Sequence, residues 1–298
     1  TIDDPDYVAG MASAYTPTNA QADDYRCFIV EPDPVPPGDF YLTGYEVQPG
    51  QPSLVHHVIL YGIPDDRAAS VRQKAENSNG VGFPCFGGVS GGIDIPLVLW
   101  APGLGRVDMP EGTGFKIAKD RLLVMQVHYN LASDPAPDLT RIRMTAETTV
   151  PEPAVAVPLV DTGFELPPEQ AYVETSPKLD GSFVHGAIPI GGDTNVKIYG
   201  VFPHMHTLGR TLKVNYTSTA GDVCLVDVDR WDFNWQDSWW YDEPLIIGND
   251  GVGGKVEIQC GYDTSSRKES VFWGDRTVDE MCLNYLVVTG AAAILLGG

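Results

Sequence analysis

Turn-forming residues recur so regularly along this chain that only short elements can form between them. Its 298 residues include 24 Pro and 32 Gly, spread over the whole length. Between the turns lie short runs rich in β-branched and aromatic residues, whereas helical periodicity is almost absent. The best helical candidate, 68–76, is short and polar. The pattern predicts an all-β protein.

A Pro-rich stretch at 150–158 interrupts the strand pattern near the middle of the chain and predicts a linker. Strand-like runs lie on both sides of it, at 25–30, 40–47, 54–61, 97–100, 121–129 and 140–149, and then at 186–190, 194–202, 211–218, 223–231, 255–262 and 284–289. We expect two tandem antiparallel β-sandwich domains, jelly-roll-like in form, over residues 1–152 and 153–298. The polar residues 1–22 predict an extended arm.

The charge balance argues against nucleic acid as a partner and says little about other partners. A net charge of −21 leaves nothing to neutralise phosphates, so we expect no nucleic-acid binding. A solvated acidic surface accounts for the charge, which would also mildly favour cationic substrates. No apolar run approaches the ~20 residues that cross a bilayer, so no transmembrane segment is expected.

The five cysteines indicate an oxidising compartment. They are Cys27, Cys85, Cys224, Cys260 and Cys282, none of them in a CxxC or other close zinc spacing. The odd number leaves at least one thiol unpaired, and disulfides between distant strands are the expected use of the others. We therefore predict a secreted, extracellular or periplasmic protein. The chain opens with Thr1, as a processed mature protein or a trimmed one would.

Histidine is scarce, yet four of the six histidines fall in tight pairs. On a strand, His204 and His206 would point to one face and Met205 to the other. Two imidazoles side by side can bind Zn, Cu, Fe or Ni, although two polar residues on a solvated strand face would have the same spacing.

The other histidines are less clear on their own. His56 and His57 are adjacent and would face opposite ways on a flat strand, but could share a metal at a strand end or a bulge. Alternation places His128 on the face of Gln126, toward solvent or a cleft. A lone histidine in such a strand is more often structural than a ligand. His185 has no obvious partner.

Taken together, these segments resemble a known family, the copper type II, ascorbate-dependent monooxygenases. The resemblance runs from about Tyr25 to Leu286 through short motifs that keep their order. They are Asp24-Tyr-Arg-Cys27, Val55-His-His-Val58, Trp100-Ala-Pro102, Gly112-Thr-Gly-Phe115, Gln126-Val-His-Tyr129, His204-Met-His-Thr-Leu-Gly209, Asp232-Phe-Asn-Trp-Gln236 and Asp279-Glu-Met-Cys-Leu-Asn-Tyr285. Each motif is weak alone, and the shared order carries the resemblance.

The resemblance implies two copper ions per chain, with ascorbate as electron donor and O2 as co-substrate. His56, His57 and His128 would hold an electron-transfer copper in the first domain. His204, His206 and Met281 would hold an oxygen-binding, catalytic copper in the second. A thioether suits Cu(I) and is a poor choice for Zn or Mg, which makes Met281 informative.

The resemblance also implies the pairing of the cysteines. Cys27–Cys85 and Cys260–Cys282 match disulfides of the family, and the second pair lies beside Met281 in the sequence. Cys224 has no counterpart in the family and is expected to be a free thiol.

The family hydroxylates aliphatic C–H bonds, and two positions bear on the substrate of this chain. The peptide-hydroxylating branch carries an Arg two residues before the first His of the His-x-His pair, where this chain has Phe202. Losing the guanidinium removes the fork that grips a carboxylate. Tyr285 is retained, in an order closer to the dopamine branch, and Gln126 is a candidate group near the metal. We expect a small aromatic or amine-bearing substrate rather than a glycine-extended peptide.

Three other functions remain open on the residues alone. A non-catalytic secreted copper-binding protein could keep the same fold and ligands. A zinc-dependent hydrolase would need a carboxylate base beside three histidines, and would leave Met281 idle. A carbohydrate-binding or cell-surface tandem sandwich would make the histidine pairs accidental.

Overall fold

The computed structural model describes residues 1–18, 23–86, 88–91, 94–131, 134–175, 187–233 and 235–290. By its contacts the chain divides into two compact units, Thr1–Ala154 and Val155–Gly298. Nearly all of the regular structure is strand, arranged in mostly antiparallel layers, so the predicted all-β class with β-sandwich domains is confirmed. No helix among the described residues has the length and apolar character needed to cross a bilayer.

The first unit contains a helix and a series of strands. They are β1 (Tyr7–Gly10), β2 (Asp23–Val30), β3 (Phe40–Gln48), β4 (Val55–Ile63), α1 (Asp65–Glu76), β5 (Phe83–Pro84), β6 (Ile95–Trp100), β7 (Val107–Asp108), β8 (Thr113–Ile117), β9 (Leu122–Asn130), β10 (Arg141–Glu147) and the start of β11 (Glu152–Val160). One sheet runs in the order β5-β2-β9-β4-β6, and a second layer in the order β1-β10-β3-β8. The Tyr45 hydroxyl on β3 donates to the Leu99 carbonyl on β6 at 2.9 Å and so ties the two layers together.

The second unit holds the rest of β11 and the remaining strands. They are β12 (Glu165–Leu166), β13 (Val173–Glu174), β14 (Ala187–Ile190), β15 (Val196–His204), β16 (Gly209–Ser218), β17 (Gly221–Val228), β18 (Trp239–Ile247), β19 (Gly254–Tyr262), β20 (Val271–Phe272) and β21 (Leu283–Thr289). One layer runs β11-β21-β15-β18 and another β13-β19-β16-β17. Alternate residues of both layers, such as Val201, Leu286, Val214 and Ile258, share one buried core. Such burial from two sheets defines a sandwich.

The Pro-rich stretch at 150–158 joins the two units, and most of it forms strand β11. Glu152–Ala154 of β11 pairs in parallel with β8, and Val155–Val160 pairs antiparallel with β21. Among the described residues, each half of β11 is thus paired with one neighbour only, β8 or β21. Proline has no N–H to donate, so a strand tolerates it where that position faces an unpaired side. The two units divide within this stretch, after Ala154, but the expectation that it interrupts the strand pattern is wrong, because proline content was taken as a sign of irregular backbone.

Other boundaries also differ from the sequence expectation. The predicted arm at 1–22 contributes β1, whose Ala9 is buried where β1 pairs with β10. Strand β17 ends at Val228 rather than 231, and β18 was not predicted. Strand β18 starts with three consecutive aromatic residues, Trp239–Tyr241, followed by Asp242 and Glu243, so the two-residue alternation that marks a half-buried strand is missing there.

One face of the first unit's β2–β9–β4 sheet is covered by a second, smaller core. Val71 of α1 packs there with Val124 of β9, beside the Cys27–Cys85 disulfide. Strand β9 is therefore buried on both faces for all but its last residue.

Candidate metal centres

The first histidine cluster depends on a β-bulge at the start of β4. Val55 pairs with Tyr129 and His57 with His128, so His56 is the extra residue between two paired positions. A bulge turns the backbone locally and lets adjacent side chains converge. The side chains of His56 and His57 therefore converge, although on a flat strand they would point to opposite faces.

Three imidazoles meet at this bulge through the same ring atom. The Nδ1 atom of His128 lies 3.2 Å from Nδ1 of His56 and 3.3 Å from Nδ1 of His57. The three donor atoms all lie within 4.8 Å of one another. Nitrogens that each lie about 2 Å from one ion are roughly 3–4 Å apart, so the spacing fits a single metal ion.

A buried carboxylate fixes which nitrogen of His128 carries the proton. Its Nε2 lies 2.9 Å from Oδ1 of Asp23, and the two side chains are 1% and 9% exposed. An ionised carboxylate only accepts, so Nε2–H donates and Nδ1 keeps its lone pair for a metal. The Tyr25 ring stacks on the His128 imidazole at 4.0 Å between centroids and 14° between planes. Asp23 and Tyr25 together hold the ring in one orientation.

The prediction that His128 and Gln126 face solvent or a cleft is wrong. His128 is fully buried and Gln126 is 5% exposed, because the Tyr25 ring lies over the imidazole and the Cys27–Cys85 disulfide lies against Gln126. The Gln126 amide donates to the Cys85 carbonyl at 3.4 Å. Gln126 therefore contacts the disulfide.

The second histidine cluster is built at a strand end. His204 is the last residue of β15, and His206 lies two residues beyond it. Met205, between them, is fully buried in the core of the second unit. The two imidazole rings lie 5.3 Å apart between centroids at 87°. The alternation expected from a strand is kept although the strand has already ended.

Hydrogen bonds fix the tautomer of both rings in the second cluster. The Nδ1–H of His204 donates to Oε1 of Gln236 at 2.7 Å, and the Gln236 amide is oriented by donating its own N–H to the Phe233 carbonyl. The Nδ1–H of His206 donates to the Asp279 carbonyl at 3.0 Å. Both rings therefore present an unprotonated Nε2, as metal-binding histidines do.

A buried glutamate ties the histidine segment to the segment that carries Met281. The Glu280 carboxylate is fully buried and accepts the backbone N–H groups of His206 at 3.0 Å and Leu208 at 2.6 Å. Burial raises the pKa of Glu280 to about 7, and these N–H groups act in the opposite direction. The Cys260–Cys282 disulfide anchors the residue after Met281. Met281 itself is 9% exposed.

Both disulfides are the pairs that the family resemblance implies. Cys27–Cys85 spans 58 residues and Cys260–Cys282 spans 22. Cys224 is free and exposed. His185 lies outside the described residues.

An aromatic group occupies the face of β15 that carries His204. Phe202 and Tyr285 are cross-strand partners on β15 and β21, and the Phe202 ring meets the Trp240 ring edge to face at 5.6 Å. The Trp240 indole packs over Gly200, where an added Cβ would lie 2.8 Å from it. Burial raises the pKa of Tyr285 to about 12, with a contribution from Asp275, so its hydroxyl is protonated at neutral pH.

Two family models match the chain, one in each half. The N-terminal domain of the copper type II ascorbate-dependent monooxygenases matches residues 11–135, and the C-terminal domain matches residues 159–291. The chain belongs to this family. The imidazoles of both clusters suit it, because imidazole is a ligand that copper accepts.

Animal proteins named as monooxygenases or hydroxylases are similar to the chain at low identity. Human DBH-like monooxygenase protein 1 is 23% identical over 81% of this chain and 40% of its own length. The tyramine beta-hydroxylase of Caenorhabditis briggsae is 25% identical over 83% of this chain and 42% of its own length. The chain thus spans about two fifths of these relatives. Among solved structures, the major capsid protein P2 of bacteriophage PM2 has a TM-score of 0.35, too low to support any conclusion.

Sequence reasoning missed the residues that orient the ligands. Asp23 lies just outside the Asp24-Tyr-Arg-Cys27 motif, and Gln236 and Glu280 lie within motifs that were quoted without roles. Their positions inside or beside colinear motifs were the available signal. Sequence alone gave no way to pair Asp23 with His128, because the two are 105 residues apart.

Proposed function

We propose that this protein is a copper-dependent monooxygenase that hydroxylates an aliphatic C–H bond of a small substrate with O2 and ascorbate. One oxygen atom of O2 enters the C–H bond and the other leaves as water, with two electrons from ascorbate and two protons completing the balance. The observation that carries the proposal is the second cluster, where two imidazoles have fixed tautomers and Glu280 and Asp279 tie their segment to the one that carries Met281. That donor set suits a metal that changes oxidation state.

Under this proposal each unit holds one copper ion. His56, His57 and His128 of the first domain would hold the electron-transfer ion, and His204, His206 and Met281 of the second the oxygen-binding, catalytic ion. Copper bound there would supply one-electron redox chemistry and a place for O2 reduction. The chain's own part is to hold the ligands: Asp23 and Gln236 each accept a ring N–H and so keep the opposite nitrogen unprotonated.

The substrate would lie against the aromatic face beside His204. Phe202, Tyr285 and Trp240 offer apolar surface and one protonated hydroxyl, and lack the guanidinium that would bind a peptide carboxylate at position 202. A relative named tyramine beta-hydroxylase supports a small aromatic amine. The net charge of −21 favours a cationic substrate. Gln126 lies on the same face of β9 as His128, is 5% exposed and donates to the Cys85 carbonyl, which supports a place beside the first cluster rather than a substrate contact.

The two disulfides support a place of action outside the cytosol. Disulfides persist in secreted, extracellular and periplasmic proteins, and the relatives include animal DBH-like monooxygenases. We propose a secreted or periplasmic protein on that basis.

Oxygen uptake in the presence of ascorbate tests the function and the substrate class together. We expect uptake with stoichiometric hydroxylation for phenylethylamines, and little or none for glycine-extended peptides. In the Phe202→Arg variant we expect the KM of such a peptide to fall, because a bidentate Arg–carboxylate pair becomes available. Turnover of the peptides alone by the unaltered chain would contradict the substrate proposal.

A non-catalytic copper-binding protein is the second candidate, since the same clusters would bind copper without turnover. It predicts full copper binding and ascorbate oxidation that no substrate accelerates. Substrate-dependent product formation that disappears in Met281→Ile, with copper at the first site retained, would exclude it.

A further inference from the structure

A pocket in the second unit is lined by two arginines in a strongly acidic chain. It has a volume of about 480 Å³ and is lined by Thr207, Gly209, Arg210, Arg230, Trp231, Asp232 and Phe233. This volume is within the roughly 300–1,000 Å³ of ordinary ligand pockets. The chain has only 19 basic residues against 40 acidic ones. Two of these bases therefore line one small cavity.

The register of the β16–β17 hairpin brings the two arginines together. Leu212 pairs with Val228, and the Trp231 N–H donates to the Arg210 carbonyl at 2.8 Å just beyond the last pair. Arg210 and Arg230 therefore leave the hairpin side by side. Like charges in neighbouring cross-strand positions are destabilising unless something compensates them.

The two arginines differ in whether an ion-pair partner neutralises their charge. Arg210 is held by the Asp263 carboxylate at 3.3 Å and by the Gly209 carbonyl at 2.8 Å. For Arg230 the described residues provide no ion-pair partner, and its side chain is exposed. One guanidinium is thus fixed at the pocket, and the other can pair with an incoming anion.

The aromatic wall of the pocket carries an unsatisfied donor. Trp231 is 9% exposed, and its indole N–H has no hydrogen-bond acceptor among the described residues. The edge of the indole next to that nitrogen lies against Gly209, where an added Cβ would be 2.8 Å from Cδ1. Buried donors are nearly always satisfied, so an acceptor from a ligand or a water is expected here.

The pocket also borders the second metal cluster. Its Phe233 ring lies 6.4 Å from the His206 imidazole between centroids, and Thr207 follows His206 directly in the chain. A ligand in the pocket would therefore lie beside the segment that holds His206.

We propose that this pocket binds a small planar hydroxylated organic anion, with ascorbate as its occupant. The guanidinium of Arg230 would pair with the anionic enediol oxygen, the Trp231 indole would face the planar ring, and Asp232 would accept from ligand hydroxyls. An acidic protein repels anions at long range, but charges beyond about 8 Å are largely screened at physiological salt, so the groups lining the pocket decide the local attraction, and Arg230 is the cation there with no ion-pair partner among the described residues. The choice of ascorbate rests on the proposed monooxygenase function.

Equilibrium dialysis of radiolabelled ascorbate against the full chain tests this inference. The protein is loaded with Cu(I) and kept anaerobic, so that ascorbate is not consumed. We expect one saturable site per chain, weakened about tenfold or more in Arg230→Gln, which corresponds to at least about 1.4 kcal/mol. Arg72→Gln, the same charge change at an exposed position of α1, should bind as the unaltered chain does. In turnover, Arg230→Gln should raise the KM for ascorbate by a similar factor.

Competition separates the two sources of a small anion. Glycine-extended peptides should fail to displace ascorbate; displacement by the peptide at lower concentration would assign the pocket to a substrate carboxylate and overturn the ascorbate assignment. Saturable binding that is identical in Arg230→Gln, or no saturable binding, would also overturn the inference. Failure of the proposed function is a different result, since it would appear as oxygen uptake by the unaltered chain that no substrate stimulates.

Discussion

The two histidine clusters are held together in different ways. In the first, β4 and β9 are neighbours in one sheet, and strand register together with one bulge brings three Nδ1 atoms to a point. In the second, His204 ends a strand and His206 lies beyond it, and Glu280 and a disulfide tie their segment to that of Met281. The first site depends on sheet pairing and the second on cross-links. Changes to cross-links should therefore affect the second site more than the first.

The largest expected effects come from removing the disulfides. Closing a loop of 58 residues stabilises by about 4 kcal/mol in the chain-entropy account and one of 22 residues by about 3 kcal/mol. Cys27→Ala with Cys85→Ala should therefore cost more free energy of unfolding than Cys260→Ala with Cys282→Ala. Copper retention should follow the opposite order, because only the second pair anchors the residue beside Met281.

Chemical denaturation followed by circular dichroism gives the first quantity, and copper retained per chain after dialysis against a chelator gives the second. Each double variant is the control for the other. A Cys260–Cys282 variant that keeps its second copper as firmly as the unaltered chain would contradict the view that cross-links build that site.

The next effect concerns the carboxylate behind His128. Asp23→Asn removes the charge that the Nε2–H of His128 donates to, and should weaken copper at the first site by about 10- to 100-fold. Competitive titration with a Cu(I) chelator measures it. Asp24→Asn is the matched control, since the Asp24 carboxylate accepts from the Tyr15 hydroxyl at 2.6 Å instead. Equal losses in both variants would show that the effect is general destabilisation of β2.

A smaller effect is expected behind His204, where the acceptor is a neutral amide. Gln236→Leu should weaken copper at the second site by about tenfold, less than the change at Asp23, because hydrogen bonds to charged acceptors are about twice as strong. The same chelator titration applies. Gln259→Leu, at an exposed position of β19, is the control and should leave both affinities unchanged. A loss as large as that of Asp23→Asn would remove the distinction between the two clusters.

The smallest effect is predicted for the free thiol. Cys224→Ser lies on exposed surface of β17, away from both clusters, and should change the free energy of unfolding by no more than about 0.5 kcal/mol. Thermal unfolding with and without reductant checks it. A larger change would mean that Cys224 has a structural role.

The fold class could be predicted from the sequence because strand periodicity and turn residues are local signals. The Pro-rich strand β11 could not, since proline there is tolerated only because of which strands pair beside it. The same limit applies to His128. Its burial follows from the Tyr25 ring and from His56 and His57, which are remote in sequence. The bulge at His56 was one of the two geometries anticipated for adjacent ligands, and the choice between them needed the register of β9.

The pairing of ligands had a different origin. Spacing alone brought His204 and His206 together, but nothing in the local sequence relates them to Met281, which is 75 positions beyond His206 in the numbering. The family resemblance supplied that relation. Neither spacing nor the family resemblance identified the orienting partners Asp23 and Gln236. An acceptor for a ring N–H can come from any segment that packs nearby.

Anaerobic copper titration combined with X-ray absorption of the reduced protein tests the central claim, that six donors form two separate copper sites. The account predicts two coppers per chain with a thioether sulfur in the copper shell. His128→Ala should keep one copper and the sulfur signal, whereas Met281→Ile should lose the sulfur signal and leave the first copper in place. A single copper per chain, or a sulfur signal that persists in Met281→Ile, would contradict it.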